Sequence, residues 1–223
     1  MEVTYIHHSC FLVETDGFYY LFDYGNGILP ALDVTKPIYV LFSHGHEDHY
    51  HPEIFSQLVN MGMQQIRAVL SDDMETPENV DVLQVSPGKT YDLGEQRRLS
   101  TFRSTDLGVA FLLEDHQNLI YHAGDLNDWV WDEESDSCNQ QMTADYRTQI
   151  GLLSENVGQR TIDAAFVVLD PRQENDYDRG LCYFLGNVPV RAVYPMHYWT
   201  EPAVIDRFLK DHPEYCSKII KTE

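Results

Sequence analysis

Basic residues are scarce in this chain of 223 residues. Fifteen lysines and arginines stand against 36 aspartates and glutamates, a formal net charge of −21 with histidine neutral. A field of that sign repels phosphate backbones and disfavours non-specific nucleic-acid binding. It does not exclude a small anionic substrate, because bound divalent cations can dominate the local potential. We therefore expect a small-molecule substrate and no nucleic-acid partner.

Cysteines and long apolar runs are also few. The four cysteines are far apart and form no Cys-x-x-Cys pair, which leaves structural zinc and a redox dithiol unsupported. No segment approaches the roughly 20 consecutive apolar residues of a membrane-spanning helix. The segment Met1–Tyr5 lacks the basic cap and apolar run of a signal peptide. We expect a cytoplasmic protein with no membrane partner.

Short apolar segments predict many strands and few helices. The predicted strands are Val3–His7, Cys10–Glu14, Tyr19–Asp23, Ile38–Phe42, Ala68–Leu70, Val80–Val85, Leu99–Phe102, Gly108–Glu114, Asn118–Tyr121, Ala164–Leu169 and Ala192–Tyr194. Helices are predicted where apolar residues recur on one face: Ile54, Phe55, Leu58 and Val59 after His51-Pro52; Met142, Tyr146, Ile150 and Leu153; Val204, Ile205, Phe208 and Leu209. No linker divides the chain, so we predict a single domain over residues 1–223, an α/β sandwich of two sheets covered by helices.

The segment Ser43–His51 carries the strongest functional signal. It follows an apolar predicted strand and holds four of the ten histidines. Imidazole nitrogen and carboxylate oxygen are ligands that Zn²⁺, Mn²⁺ and Fe²⁺ prefer. His44 and His46 can turn toward one ion, whereas Asp48 and His49 can face a second. A solvated loop with surface histidines is the alternative, but His-x-His-x-Asp-His after a strand favours a metal site.

This motif resembles the first metal motif of the metallo-β-lactamase superfamily. Tyr121–Asp125 resembles the later Gly-Asp motif, whose aspartate bridges two metals. Tyr194–Tyr198 resembles the final motif, whose histidine completes the second metal site. His7–Phe11 and Leu21–Asp23 are similar to the opening hairpin of the small lactonase-like branch and of uncharacterised hydrolases. The resemblance implies an αββα sandwich, two mixed sheets flanked by helices, with the metals at one edge of the sheets.

The resemblance also implies a ligand set, with one departure from the family pattern. The implied ligands are His44, His46, Asp48, His49, Asp125 and His197. The third histidine of the first site, which the family supplies shortly before the Gly-Asp motif, is absent here. Ser104 or Asp106 can take its place, and the anionic Asp106 is the better donor. We expect a weakened first site and one or two divalent ions, Zn²⁺ before Mn²⁺ or Fe²⁺.

Other candidates have weaker signals. His8 resembles a family histidine that contacts substrate or orients a ligand, although a role confined to the hairpin fits equally well. Asp170 and Arg172 end a predicted strand: Asp170 can orient a metal ligand or move a proton, and Arg172 can hold an anionic group. An ordinary turn is the alternative. His122 is assigned a structural role, because strand alternation turns it away from the face of Asp125. The tryptophans that follow the motifs are not assigned to the site, because such aromatics more often pack.

The implied activity is that of a metal-dependent hydrolase, which uses a metal-activated water on a small ester, lactone or phosphodiester. Asp48 or Asp125 would hold the water and accept its proton. A nuclease is the second choice among hydrolases, and the charge of −21 without a basic stripe counts against it.

Two alternatives belong to other functional classes. One is an iron-dependent oxidoreductase or dioxygenase of the same fold, which iron in the purified protein and oxygen uptake would identify. His46 favours the hydrolases over the di-iron oxidoreductases, which tend to carry glutamate at this position. The other is a degenerate, non-catalytic metal-binding protein, which the missing third histidine of the first site suggests.

Overall fold

Twelve strands form two six-stranded sheets in the computed structural model, which describes residues 1–222. The chain divides into two compact units, Met1–Ser86 and a second unit that begins at Pro87. Each unit contains one sheet, and each sheet mixes antiparallel with parallel strands. Four helices are interspersed among these strands, as expected for the predicted α/β class. The single domain over residues 1–223 stays a prediction.

The first unit has the strand pattern that the sequence predicts. Its elements are β1 (Glu2–His7), β2 (Cys10–Glu14), β3 (Tyr19–Phe22), β4 (Ile38–Phe42), helix α1 (Glu53–Asn60), β5 (Ile66–Ser71) and β6 (Asp81–Val85). The sheet runs in this order, antiparallel from β1 to β3 and parallel from β3 to β6. Strands β2 to β4 are buried along almost their whole length, as expected of apolar strands covered on both faces.

Helix α1 packs into the apolar core of this unit through Ile54, Phe55 and Leu58. Val59, which we expected on the same face, is 62% exposed. It lies about 100° further round the helix than Leu58, beyond the buried stripe. Pro52 precedes the first helical residue instead of occupying that position.

The second unit contains the remaining strands and three helices. Its elements are β7 (Thr90–Gly94), β8 (Arg97–Arg103), β9 (Val109–Asp115), β10 (Asn118–His122), α2 (Asp136–Val157), β11 (Ile162–Val168), α3 (Arg179–Asn187), β12 (Val190–Met196) and α4 (Ala203–Asp211). The sheet order is β12-β11-β10-β9-β8-β7, with β10 to β12 parallel and β7 to β10 antiparallel. Short 3-10 turns occupy Pro171–Asp176 and Pro213–Tyr215.

The long helix α2 confirms the predicted apolar face, since Tyr146, Ile150 and Leu153 are buried. It begins after Ser135, whose Oγ accepts a hydrogen bond from the backbone N–H of Cys138 at 3.2 Å. The acidic residues around this start suit the positive end of the helix dipole. Among residues 1–222, no helix has both the length and the apolar character needed to cross a membrane.

Two elements of the second unit, β7 and α3, have no counterpart among the predictions. Strand β7 lies at the edge of its sheet and buries only Leu93, so its apolar alternation is weak. Helix α3 contains Gly180 and Gly186, which lower helix propensity. Tertiary packing of Leu181 and Phe184, both fully buried, compensates for that low propensity.

Candidate functional site

Chemically reactive side chains follow the carboxyl ends of parallel strands in both units. In the first unit, Asp23 follows β3, and Ser43 and His44 follow β4. In the second unit, Asp125 comes after β10, and His197 comes directly after β12. The carboxyl ends of neighbouring parallel strands lie at one edge of a sheet, where α/β folds bind ligands. Each unit therefore presents its predicted ligands at one edge of its own sheet.

The loop after β4 gathers the histidines of the first motif. His44 and His49 are fully buried, whereas His46 is exposed. Nε2 of His44 lies 3.0 Å from Nδ1 of His46, and the rings of His44 and His49 are 4.3 Å apart between centroids. The structure thus brings these three predicted ligands together.

Asp48 and His8 belong to the same group. Nε2 of His8 lies 3.4 Å from Oδ2 of Asp48, and Nε2 of His49 lies 3.8 Å from that oxygen. Burial raises the pKa of Asp48, but the hydrogen bond from His8 and the charge of His49 outweigh burial and hold the pKa well below its ordinary value. Asp48 is therefore a carboxylate near neutral pH. His8, predicted to contact substrate or orient a ligand, contacts this carboxylate.

Asp23 is the main site residue that the sequence does not predict. Its fully buried carboxylate accepts hydrogen bonds from the backbone N–H and the hydroxyl of Ser43, at 2.7 and 2.6 Å. It also lies 2.8 Å from Nδ1 of His49. The available signal is the position of Asp23 directly after the apolar strand β3.

This buried carboxylate fixes the protonation of two imidazole rings. An ionised carboxylate only accepts hydrogen bonds, so Nδ1 of His49 carries a proton toward Asp23. Ser43 gives its hydroxyl proton to Asp23, so its oxygen accepts from Nδ1 of His44 at 2.9 Å. When the two rings are neutral, the lone pair of each is therefore on Nε2, as in metal-binding histidines held by an outer carboxylate.

Gly25 allows the loop of the first motif to approach the segment after β3 closely, because glycine has no side chain. A Cβ built on Gly25 would lie 2.2 Å from the backbone oxygen of Asp48, far inside van der Waals contact. The backbone N–H of His51 also donates to the carbonyl of Tyr24 at 2.9 Å. The segment after β3 and the loop after β4 therefore pack backbone against backbone.

The second unit repeats the arrangement of a histidine between two carboxylates. Nε2 of His197 lies 3.4 Å from Oδ1 of Asp125, and its Nδ1 lies 2.9 Å from Oδ2 of Asp170. All three residues are buried. Asp170, predicted to orient a metal ligand or move a proton, occupies the position relative to His197 that Asp23 occupies relative to His49.

Asp170 also binds Arg172. The backbone N–H and the guanidinium of Arg172 donate to the carboxylate of Asp170, at distances between 2.5 and 3.0 Å. Burial raises the pKa of Asp170, but the hydrogen bonds from His197 and Arg172 outweigh it and lower the pKa to about 2. Asp170 is therefore an anion that holds His197 in one orientation.

The backbone at these positions adopts conformations that L-residues seldom take. His8, Asp23 and His197 have φ values of 52°, 45° and 65°, and Gly124, next to Asp125, has 52°. Such strain persists only where the surroundings enforce it, and it is concentrated at functional sites. Here the positive φ values of His8, Asp23 and His197 occur at residues whose contacts already place them in the candidate site.

Asp106 lies in a small cavity of the second unit that Asp125 and His197 also line. The volume of this cavity is about 200 Å³, and carboxylate oxygens of Asp106 and Asp125 lie within 4.8 Å of each other. The alternative substitute, Ser104, accepts a hydrogen bond from the backbone N–H of Asp106 at 3.1 Å. Asp106 therefore has the better position of the two.

Aromatic residues form much of the remaining wall of this cavity. Trp129 and Trp131 line it with Arg172, and their rings stack at 5.9 Å between centroids. Trp129 meets the ring of His197 edge-on at 5.5 Å. The sequence left these tryptophans unassigned, and their position shortly after the Gly-Asp motif was the available signal.

His122 has the structural role that strand alternation predicts. It is fully buried, and its Nδ1 accepts a hydrogen bond from the backbone N–H of Gly124 at 3.0 Å. It thereby supports the turn that leads to Asp125. His116 is 57% exposed at its side chain, in the turn between β9 and β10.

The distances between donors fit divalent-metal binding within each unit. Two ligands at the usual 2.0–2.1 Å from a tetrahedral ion lie about 3.3 Å apart. The predicted ligand pairs His44–His46, His49–Asp48 and His197–Asp125 are separated by 3.0, 3.8 and 3.4 Å. Outer carboxylates hold two of the histidines, as metal sites require.

Comparisons with known proteins point to one family. A model described as "Beta-lactamase superfamily domain" matches residues 2–140, more than half of the chain. A UPF0173 metal-dependent hydrolase from Methylacidiphilum infernorum (isolate V4) is 26% identical over 140 residues. This match covers 56% of the present chain and 62% of the relative, less than two thirds of its length.

Solved structures share the fold at low sequence identity. A metallo hydrolase from the archaeon Ignicoccus hospitalis matches with a TM-score of 0.65 and 16% identity, over 99% of this chain and 94% of that chain. YhfI from Bacillus subtilis, a metallo-beta-lactamase fold protein, matches with a TM-score of 0.62 and 13% identity, over 97% of this chain and 89% of that chain. CmlA, a diiron beta-hydroxylase from Streptomyces venezuelae, matches with a TM-score of 0.59 and 15% identity, over 97% of this chain and 52% of that chain. The likeness confirms the predicted αββα sandwich.

Proposed function

Because the chain belongs to the beta-lactamase superfamily domain family, we propose that it is a metal-dependent hydrolase acting on a small ester, lactone or phosphodiester. One observation carries the proposal: in each unit a histidine lies between two carboxylates. His49 has Asp23 at Nδ1 and Asp48 near Nε2, and His197 has Asp170 at Nδ1 with an aspartate near Nε2. This pattern is typical of metal-binding histidines.

The proposed ligands follow from these contacts and from the sequence motifs. They are His44, His46, Asp48, His49, Asp125 and His197, with Asp106 as the substitute for the missing histidine. We propose Zn²⁺ as the metal and one or two ions per chain. A divalent ion held by these residues would polarise a carbonyl or phosphoryl oxygen and would lower the pKa of a water molecule.

Four side chains of this protein would have separate roles in the reaction. Asp48 or Asp125 would orient the attacking water and accept its proton, and His8 would contact the substrate or steady Asp48. Asp170 keeps His197 oriented. The cavity of about 200 Å³ beside Asp125 is smaller than pockets for drug-sized ligands, typically 300–1,000 Å³, which favours a small substrate. The charge of −21 disfavours nucleic acid as substrate.

Metal analysis of protein purified without added metal or chelator tests the proposal first. We expect zinc, with a marked loss of bound metal in His49→Ala and in His197→Ala. His116→Ala is the matched control, since His116 is an exposed histidine in a turn. Unchanged metal content in both ligand variants would contradict the ligand assignment.

Hydrolysis assays follow with para-nitrophenyl acetate, a butyrolactone and bis-para-nitrophenyl phosphate. We expect turnover of at least one substrate class, abolished by a chelator and restored by the metal found in the protein. Iron together with oxygen uptake would instead favour an iron-dependent oxidoreductase. A full metal complement with no turnover of any class would favour a non-catalytic metal-binding protein.

A further inference from the structure

A second group of metal-ligating side chains lies between helices α3 and α4 of the second unit. Asp178 precedes α3, Cys182 lies one turn into that helix, and His212 directly follows α4. Residues four apart lie on the same face of a helix, so Asp178 and Cys182 point the same way. Nε2 of His212 lies 2.6 Å from Oδ2 of Asp178 and 3.5 Å from Sγ of Cys182. One ligand atom from each residue lies within 4.8 Å of the other two.

The imidazole of His212 is held in place from several sides. Its backbone N–H donates to the carbonyl of Phe208 at 2.8 Å, and its ring lies 4.9 Å from the ring of Phe208. On the other side of the ring, Nδ1 lies 3.8 Å from Oε1 of Glu214. This carboxylate is farther from Nδ1 than Asp23 and Asp170 are from Nδ1 of His49 and His197, at 2.8 and 2.9 Å.

The geometry argues against a cysteine–histidine–aspartate nucleophile. In such a triad the histidine contacts the thiol through one ring nitrogen and the carboxylate through the other. Here Asp178 and Cys182 both contact Nε2 of His212. The carboxylate beyond Nδ1, that of Glu214, lies 3.8 Å away, outside hydrogen-bond distance. Three donors that converge on one point instead suit a shared cation.

The distance between Cys182 and His212 and the charge of the cluster fit Zn²⁺, whereas the 2.6 Å contact between His212 and Asp178 must open by about 0.7 Å for both to bind one ion. Zinc–sulfur and zinc–nitrogen bonds of about 2.3 and 2.05 Å separate the two ligand atoms by roughly 3.6 Å at a tetrahedral ion. The observed distance between Cys182 and His212 is 3.5 Å. The carboxylates of Asp178 and Glu214 beside the ring of His212 add negative charge, which favours a cation. The side chains of Asp178 and His212 are 22% and 25% exposed, so an ion can enter.

We propose that Asp178, Cys182 and His212 bind a thiophilic divalent cation, Zn²⁺ first, and so tie α3 to α4. The site uses none of the residues assigned to hydrolysis and does not depend on that assignment. Binding replaces the thiol proton of Cys182, which leaves to solvent, by a sulfur–zinc bond. The proton on Nε2 of His212 moves to Nδ1, opposite Glu214, and Asp178 binds as the carboxylate. One proton is therefore released for each ion bound to neutral His212.

Cobalt substitution tests this site in the full-length, reduced, metal-free protein. We expect Co²⁺ to produce a near-ultraviolet thiolate-to-cobalt charge-transfer band, which Zn²⁺ then removes. The proposed hydrolytic ligands include no cysteine, so this band reports the second site alone. The band should disappear in Cys182→Ser and persist in Cys138→Ser, which alters an exposed cysteine at the start of α2. A parent protein without the band, or a Cys182→Ser variant that keeps it, would overturn the proposal.

A second variant and a second readout guard against a folding defect in Cys182→Ser. His212→Gln keeps the thiol but loses a ligand, and we expect Co²⁺ affinity at this site to fall roughly tenfold or more. In the unmodified chain, Zn²⁺ should protect Cys182 but not Cys138 from alkylation, read for each cysteine by mass spectrometry. Equal alkylation of Cys182 with and without Zn²⁺ would also refute the site.

Discussion

Two buried aspartates, Asp23 and Asp170, determine which ring nitrogen of His49 and His197 carries the proton and which carries the lone pair. Each lies within 2.9 Å of an imidazole Nδ1, and each is fully buried. Because a carboxylate only accepts hydrogen bonds, the proton stays on Nδ1 and the lone pair on Nε2. Loss of the negative charge should therefore affect metal binding without removing a ligand.

Asp170→Asn should lower metal affinity by about 10- to 100-fold, the usual effect of losing an outer carboxylate. Asparagine keeps the size of the side chain, but it is neutral and loses the ion pair with Arg172. Competition with a chromophoric chelator measures the affinity, and circular dichroism checks the fold. Asp16→Asn, in the exposed turn between β2 and β3, is the control. Equal affinities in the two variants would show that Asp170 does not orient His197.

Asp106→Ala should reduce the metal content of the protein while leaving the fold intact. The physical reason is its position in the cavity with Asp125, together with its exposure, which makes its loss harmless to packing. Elemental analysis of the purified variant gives the ratio of metal to protein. Asp132→Ala removes an equally exposed acidic residue and serves as the comparison. An unchanged ratio would leave Ser104 or water as the substitute for the missing histidine.

Residue types and spacing predict the ligands better than they predict the residues that hold them. The first motif could be identified because His44, His46, Asp48 and His49 lie close together in sequence. Asp23 could not, because its role depends on the parallel pairing of β3 with β4, which places two strand ends side by side. No local pattern specifies that pairing.

At the scale of elements, the first unit depends on a close approach between the ends of β3 and β4. Gly25→Ala would force a Cβ to 2.2 Å from the carbonyl oxygen of Asp48, so the loop that carries His44 to His49 must shift. We expect a loss of about 1–3 kcal/mol in the free energy of unfolding, as for other overpacked positions. Metal affinity should fall as well, because the ligands move with the loop.

Gly17→Ala is the matched control for this change. A Cβ at Gly17 would meet nothing within 4 Å, and the residue lies in the turn between β2 and β3 of the same sheet. Urea denaturation and metal titration of both variants separate packing at Gly25 from a general effect of replacing glycine. Comparable stability and metal affinity in the two variants would contradict the close approach.

At the scale of the whole molecule, the apolar segments predict an α/β sandwich of two sheets, and the resemblance of motifs implies its αββα order. Apolar patterns predict most strands, but they do not say that β6 and β7, consecutive in the chain, belong to different sheets. The boundary at Ser86 and Pro87 contains no flexible linker, so composition does not reveal the two units. Sheet membership is decided by pairing between distant segments.

Net charge is a second property of the whole chain. Acidic residues outnumber basic residues, and the excess is large in residues 1–86. Lys36 and Arg67 are the sole lysine and arginine of residues 1–86, and each forms an ion pair, with Glu14 and Asp81 respectively. The remaining acidic residues repel one another at neutral pH. Such self-repulsion destabilises a folded state, and salt screens it.

We therefore expect the melting temperature of the metal-free protein at pH ~7 to rise with salt, as the Debye length falls from about 30 Å at 0.01 M to about 8 Å at 0.15 M. A gain of about 1 kcal/mol corresponds to roughly 2–4 °C for a chain of this size. Differential scanning calorimetry over a series of sodium chloride concentrations measures the shift. The same series near the isoelectric point of 4.6 is the control, because the net charge there is close to zero. A flat response at neutral pH, or an equal rise at both pH values, would mean that ion pairs already offset the repulsion.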